Sequence, residues 1–161
     1  MAQNIKAKAG AGASLWIGDG NSPEHFSKVG QVLSQLKWTG AKIKTADTTN
    51  QDSLTDSNAL IWEEMIPTIV SGGTVDLQVN AVWSDPAQRA FFAAFDGKPH
   101  NFSLRTPNDQ NTSPLVPEAQ FGFSGYLFDR PDIDLPLDKQ MTLSVKISVV
   151  GPPDPIVWSK P

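Results

Sequence analysis

Two stretches of the chain alternate apolar and polar side chains with the period of a half-buried β-strand. In 74–84 (TVDLQVNAVWS), Val75, Leu77, Val79, Ala81 and Trp83 share one face, and Asp76, Gln78, Asn80 and Val82 share the other. In 140–150 (QMTLSVKISVV), Met141, Leu143, Val145, Ile147 and Val149 alternate with Thr142, Ser144, Lys146 and Ser148. Weaker alternation predicts further strands at 13–18, 33–45 (around Leu36, Trp38, Lys42 and Lys44), 99–106 and 120–129. Helical spacing stands out at 86–95, where Ser84 or Asp85 can cap, Pro86 suits the first turn and Gly97 follows the end. Ala87, Ala90, Phe91, Ala94 and Phe95 form its apolar stripe, with Phe92 at the edge, and that stripe seals one side of the sheet structure. A shorter helix is predicted at 25–34, with Gly30 in its middle counting against it. Strands outnumber helices.

The remaining segments lack periodicity. Residues 1–12 are small and Gly/Ala-rich and read as an N-terminal arm. Residues 151–161 hold four of the 13 prolines and read as a C-terminal arm, whose Ile156, Val157 and Trp158 are costly to leave in water and call for a partner surface. Residues 45–73 form a polar, acidic stretch followed by the apolar cluster IWEEMIPTIV and a Gly-Gly turn. Connections usually run about 4–6 residues, so this long loop is expected to be functional or to remain unordered until it meets a partner. A second loop is expected at 106–119, with three prolines. There is no internal repeat, and the length fits one domain spanning 1–161.

Composition narrows the function classes. Seventeen acidic against 13 basic residues give a net charge of −4, opposite to the footprint of a nucleic-acid reader. The 39% apolar content makes a core that is adequate but not rich, and the absence of cysteine removes disulfides, thiolate zinc sites and cysteine nucleophiles together. No run reaches the length of a membrane span, so no membrane association is expected. The first residues lack the apolar stretch of a secretory signal, so Asn101 and Asn111, each in an Asn-x-Ser/Thr match, carry no glycosylation meaning.

Chemistry-bearing residues are sparse. His25 and His100 lack metal-site spacing and read as ordinary residues. Gly10-Ala-Gly12 is followed by Ser14-Leu15-Trp16, without the Gly-Lys-Ser/Thr of a phosphate loop. Asp129, Asp132 and Asp134 offer calcium-type oxygens, but the intervening Arg130 and Pro131 and the missing loop glycine favour an acidic turn. Glu63 and Glu64 read as a solvated pair. We expect no enzyme activity, no cofactor and no metal. Of the five tryptophans, Trp16, Trp38 and Trp83 fall in strands and read as core, while Trp62 and Trp158 fall in irregular segments and read as interface anchors. An aromatic platform of a carbohydrate-binding β-sandwich, using Trp62 or Trp158, is the alternative.

Several features taken in order resemble one family. Gly10-Ala-Gly12 leads into Ser14-Leu-Trp-Ile17; an Asp/Ser-rich loop at 47–58 precedes Trp62; and Gly72-Gly-Thr-Val-Asp-Leu-Gln-Val79 follows. Then come Ala87-Gln-Arg-Ala-Phe-Phe-Ala-Ala-Phe95, Asn101-Phe-Ser-Leu-Arg-Thr-Pro-Asn108, Phe123-Ser-Gly-Tyr126 and Val149-Val-Gly-Pro152. This order resembles the major tail-tube proteins of long, flexible-tailed phages of the lambda type. The resemblance implies a β-sandwich or small barrel with one flanking helix, related to the tubes of contractile tails and type VI secretion. It further implies a structural virion protein, assembled in the host cytoplasm, whose hexameric rings stack into a tail tube for genome delivery. Tape-measure, tail-tip and tail-terminator proteins would be its partners. Some members carry a further immunoglobulin-like domain, which these residues do not include.

On that reading the polar faces of the two best strands are candidate lumen residues: Asp76, Gln78, Asn80, Thr142, Ser144, Lys146 and Ser148. DNA passes such a wall without specific binding, because neutral and acidic groups do not hold a polyanion. Lys146 is the exception, requiring either pairing with an acidic residue of a neighbouring copy or a different lumen face. The long loop and the arms supply inter-subunit or inter-ring contacts, with Leu54, Leu60, Trp62, Met65, Ile66, Ile156 and Trp158 as candidates. A type VI secretion or bacteriocin tube subunit is the neighbouring alternative.

Overall fold

The computed structural model describes residues 12–30, 32–47, 65–108 and 116–158, with backbone alone at 33–35. In chain order its elements are β1 (Ser14–Gly18), β2 (Phe26–Lys28), β3 (Val32–Thr39), β4 (Lys42–Asp47), β5 (Met65–Ser71), β6 (Thr74–Asn80) and α1 (Pro86–Ala93). They continue with β7 (His100–Arg105), β8 (Ala119–Tyr126), β9 (Asp132–Asp134), β10 (Thr142–Val150) and β11 (Val157–Trp158). Among the described residues the fold is mainly β with one short helix. Among the described residues, antiparallel pairing orders one sheet as β2-β1-β7-β8-β10-β6-β3, with β9 beside β10 and β11 beside β8, while β4 and β5 pair separately.

Several of these strands are continuations of others. β8 pairs with β10 at Ser148–Val150, leaves after Tyr126, and the chain returns to the same edge of β10 as β9, opposite Thr142–Ser144. β10 in turn gives way to β11 along β8, the Asp154 N–H donating to the Gly122 carbonyl between them at 2.8 Å. The described part of the C-terminal arm is thus tied to the sheet rather than free. β3 and β6 pair as far as Thr39 and Thr74, and beyond a bend β4 and β5 resume the pairing at Lys42 and Ser71.

That bend explains two differences from the sequence reading. The expected strand over 33–45 is broken at Gly40, and the expected loop over 45–73 has strands at both described ends. Gly40 and Gly73 sit side by side with φ of 77° each, a conformation that glycine adopts at little cost. A β-carbon at Gly73 would collide with the Thr39 carbonyl and the Ala41 nitrogen. Trp38 Nε1 donates to the Gly72 carbonyl at 2.6 Å and the Val149 N–H to the Gly73 carbonyl at 2.9 Å, fixing the root from which the β4–β5 ribbon departs.

The core lies between the sheet and α1. Leu15, Val75, Val79, Leu143 and Ile147 supply aliphatic faces, and Phe91, Phe102, Phe123 and Trp38 pass aromatic contact from helix to sheet at centroid separations of 6.5, 5.5 and 5.0 Å. Each such side chain contributes about 1.5–3 kcal/mol by leaving water. Of the predicted helical stripe, Ala87, Phe91 and Ala94 are buried, whereas Phe95 lies beyond the helix and is exposed. Asp85 is the cap, accepting from the Ala87 N–H at 2.9 Å.

The helix predicted at 25–34 is absent, because its backbone groups are claimed elsewhere. Phe26–Lys28 pairs with β1, and the Gly30 peptide donates to Asp85 Oδ2 at 3.0 Å and accepts from Gln88 Nε2 at 3.1 Å. Gln88 also donates to the Asn80 carbonyl at 3.0 Å and accepts from the Val82 N–H at 2.8 Å, so this fully buried amide is satisfied on both sides. Trp83 is a further correction: β6 ends at Asn80, the chain turns toward α1, and the indole is 45% exposed instead of joining the core. Met141 likewise precedes β10 and is exposed. The acidic turn expected at 129–134 is strand β9 in its second half.

Candidate functional site

Strand register gathers the seven residues predicted for the lumen onto one face. Thr142 lies opposite Asn80, Ser144 opposite Gln78, Lys146 opposite Asp76 and Ser148 opposite Thr74. The alternating Leu143, Val145, Ile147 and Val75, Leu77, Val79 point the other way and are buried, which forces the polar set outward. This face is concave, an open groove of about 630 Å3 whose polar lining is Lys37, Asp76, Gln78, Asp132, Ser144 and Lys146.

Lys37 and Asp132 are the members that sequence reasoning missed. Lys37 stands opposite Asp76 across β3 and β6, so that Lys37, Asp76 and Lys146 form a row of alternating charge over three adjacent strands. Asp132 stands opposite Ser144 and extends the groove. The acidic neighbour that Lys146 requires therefore belongs to its own chain. With two lysines and two aspartates the groove is charge-balanced. Lys37, flanked by Leu36 and Trp38, was detectable as the polar position of a weak alternation; Asp132 was hidden in what reads as a turn.

The second surface is the ribbon. Met65 and Ile66, predicted as contacts, are exposed on β5, together with Ile69 and Val70, the last at 73%. β4 adds Ile43 between Lys42 and Lys44, all exposed. Ile156 and Trp158 are exposed on or beside β11, Trp158 at 62% even though its backbone pairs with Ala119. Leu54, Leu60 and Trp62, together with Glu63 and Glu64, lie outside the described residues. A two-stranded ribbon alone in water is marginally stable, and contiguous exposed apolar side chains mark contact surfaces.

Elsewhere the chemistry is structural. His100 Nε2 lies 3.0 Å from Asp96 Oδ1 at the turn between α1 and β7. That contact, followed by the Lys98 N–H, holds the Asp96 carboxyl below its ordinary value. Asp19 is lowered by the N–H groups of Asn21 and His25, which it accepts at 3.0 Å each, organising the loop between β1 and β2. On the outer face the Arg105 guanidinium lies 3.9 Å over the Trp16 ring, and burial lowers its proton affinity. Among the described residues no cluster of His, Cys, Asp or Glu is arranged to hold a metal ion.

Three solved structures share this architecture. One is the tail of an empty GTA particle computed with helical refinement in C6 symmetry, with a TM-score of 0.63 at 15% identity, covering 92% of this chain and 98% of that one. The fold is tail-tube-like. A chain of the six-fold symmetrised anti-feeding prophage baseplate aligns with a TM-score of 0.59 at 9% identity over 99% of both chains. A chain of the PVC sheath/tube terminator, from an extracellular contractile injection system in its extended state, aligns at 0.61 and 8% identity over 96% and 98%. No protein-family profile and no curated protein sequence matches the chain. Each alignment runs over nearly the whole length of both chains, so the likeness is one of overall fold and not of a fragment.

Proposed function

We propose that this chain is a tail-tube subunit: a structural virion protein whose hexameric rings stack into a hollow tube, the concave polar face turned inward. The observation that carries the reading is the β4–β5 ribbon, which prolongs two strands of the main sheet into solvent with apolar side chains uncovered. Such a strand pair gains most by pairing with another copy, which also removes the open edges that invite indiscriminate aggregation. The inner wall then carries lysines each offset by an aspartate on the next strand, so a DNA polyanion is neither gripped nor strongly repelled. Tape-measure, tail-tip and tail-terminator proteins are the partners of such a tube, and its place is the virion tail, after assembly in the host cytoplasm.

Electron microscopy of the concentrated protein, alone and with a tail tip, tests this. Rings or hollow tubes with six-fold averages are expected; a persistent monomer with the tip present overturns the reading, and a monomer that shifts on oligosaccharide addition favours the carbohydrate module. Asp76→Asn sharpens the lumen assignment. It leaves Lys37 and Lys146 unopposed, and tubes of this variant should retain added DNA in a salt-dependent way that wild-type tubes do not.

A second reading draws on two of the three structural likenesses, which come from the anti-feeding prophage and an extracellular contractile injection system. A tube inside a contractile sheath would use the same subunit physics with a different cargo. Purified native particles separate the two: a naked flexible tail with nuclease-protected DNA in its head marks the first, a sheathed tube the second.

A further inference from the structure

Besides the outer sides of its terminal strands β2 and β3, the sheet leaves one side of β9 open in the described structure, and the sequence there is the charge complement of the ribbon. β9 pairs with β10 on one side; on the other, β7 begins only at His100, opposite Gly125, and no described strand continues it alongside β9. The open edge reads Asp132-Ile133-Asp134, every residue exposed. β4, which pairs with β5 alone, begins Lys42-Ile43-Lys44, also exposed. An acidic-apolar-acidic strand thus matches a basic-apolar-basic one.

We propose that β4 of one copy adds to the β9 edge of the next, Lys42 opposite Asp134, Ile43 opposite Ile133 and Lys44 opposite Asp132. This rests on the tail-tube reading and names the edges that join its subunits. The antiparallel register follows the pairing used throughout the chain, and side-chain alternation places each charged pair on one face and the isoleucines on the other. Asp132 already lines the polar groove with Ser144, so Lys44 of the neighbour continues there the alternation of Lys146, Asp76 and Lys37. On the opposite face Ile133 borders an open notch of about 250 Å3 with Trp83, Phe92, Arg89 and Arg130. The neighbour's Ile43 would cover this notch, which accounts for an indole left outside the core.

The geometry favours a second copy over the same chain as the occupant. β9 lies at the Asn80 end of β6, whereas the ribbon departs from the Thr74 end, six residues or about 20 Å away along the strand. Donor and acceptor edges at opposite ends make a head-to-tail contact, the kind that closes into rings when the rotation per subunit permits.

Charge exchange tests the pairing. Lys42→Glu with Lys44→Glu, and separately Asp132→Lys with Asp134→Lys, should each raise the concentration needed for assembly by at least roughly ten-fold. The fourfold variant combining them should recover assembly. Because the chain has no cysteine, a second measurement does not depend on those variants folding. Ile43→Cys and Ile133→Cys chains, mixed, assembled and mildly oxidised, should give mixed disulfide dimers, and the doubly substituted chain a ladder ending at the ring. Charge variants that assemble like wild type, a fourfold variant that folds without recovery, or tubes that form without the 43–133 cross-link each overturn this pairing while leaving the tube reading intact. A wild-type chain that gives no tubes in the presence of a tail tip, together with cysteine-substituted chains that give no cross-link there, overturns both.

Discussion

The main sheet and the β4–β5 ribbon are made of the same strands and held by opposite means. β6 buries Val75, Leu77 and Val79 on one side and lines the polar groove with the other, so its alternation is answered by a core. One bend earlier, β5 carries Met65, Ile66, Ile69 and Val70, all exposed, with no face that the described residues bury. Apolar content alone therefore does not say where a core is. What distinguishes the two is whether alternation is strict, since a strand that must be covered by another molecule can carry apolar residues on both faces.

The largest effects should fall on the body. Phe102 is fully buried and stacks between Phe91 and Phe123 at 6.5 and 5.5 Å. Phe102→Ala should cost about 3–5 kcal/mol, read as a shift in the urea midpoint with assembly lost only because the subunit unfolds. Gln88→Leu comes next. It keeps the volume but removes the partner of the Val82 N–H and of the carbonyls of Gly30 and Asn80, and leaving a buried group unpaired costs about 1–3 kcal/mol. A Gln88→Leu protein as stable as wild type would mean that water replaces the amide and that this tie between helix and sheet is dispensable.

The ribbon should behave in the reverse manner. Ile69→Ser with Val70→Ser should move the stability of the free subunit by less than about 0.5 kcal/mol, as surface substitutions do, while tube formation is suppressed. Amide exchange sharpens the same contrast. In the free subunit the amides of 42–47 and 65–71 should exchange far faster than those of 74–80, then become protected on assembly. Equal protection in the free state would mean that the ribbon is already covered within one chain, removing the reason to assign it to contacts between copies.

How much of this was legible in the sequence follows from the same contrast. Alternation over 74–84 and 140–150 located β6 and β10, overrunning their ends, and the part of the polar face that they carry, because burial on one side imposes the period directly. Asp85, Pro86 and the Ala/Phe stripe located α1 for the same reason. The breaks were not legible. Gly40 and Gly73 form a bend only because β3 and β6 happen to be partners, and partnership is a long-range property that no local window contains. Lys146 looked anomalous until register set Asp76 beside it. β9 was hidden because three residues, two of them aspartates, make a strand only with β10 alongside. Nothing local marks Gln88 as a buried tie, since its three backbone partners come from segments up to 58 positions away.

The smallest expected effect lies in the loops at the sheet margin. Asp19 accepts from the backbone N–H groups of Asn21 and His25, and Asp96 accepts from His100 and the Lys98 N–H; each carboxyl is held below its ordinary value of 3.8. A carboxylate whose affinity for protons is lowered by folding adds stability that is fully present above its unfolded value and is lost as pH falls through the folded one. The contribution should therefore be constant near neutrality and fade below about pH 4. Asp19→Asn and Asp96→Asn together should lower stability slightly at pH 7 and not at all near pH 2, so that the two denaturation midpoints converge in acid. The amide resonances of Asn21 and His25 report the local event, and in wild type they should titrate below pH 3.8. Midpoints separated by the same amount at both extremes would show that these aspartates act through loop shape and not through charge.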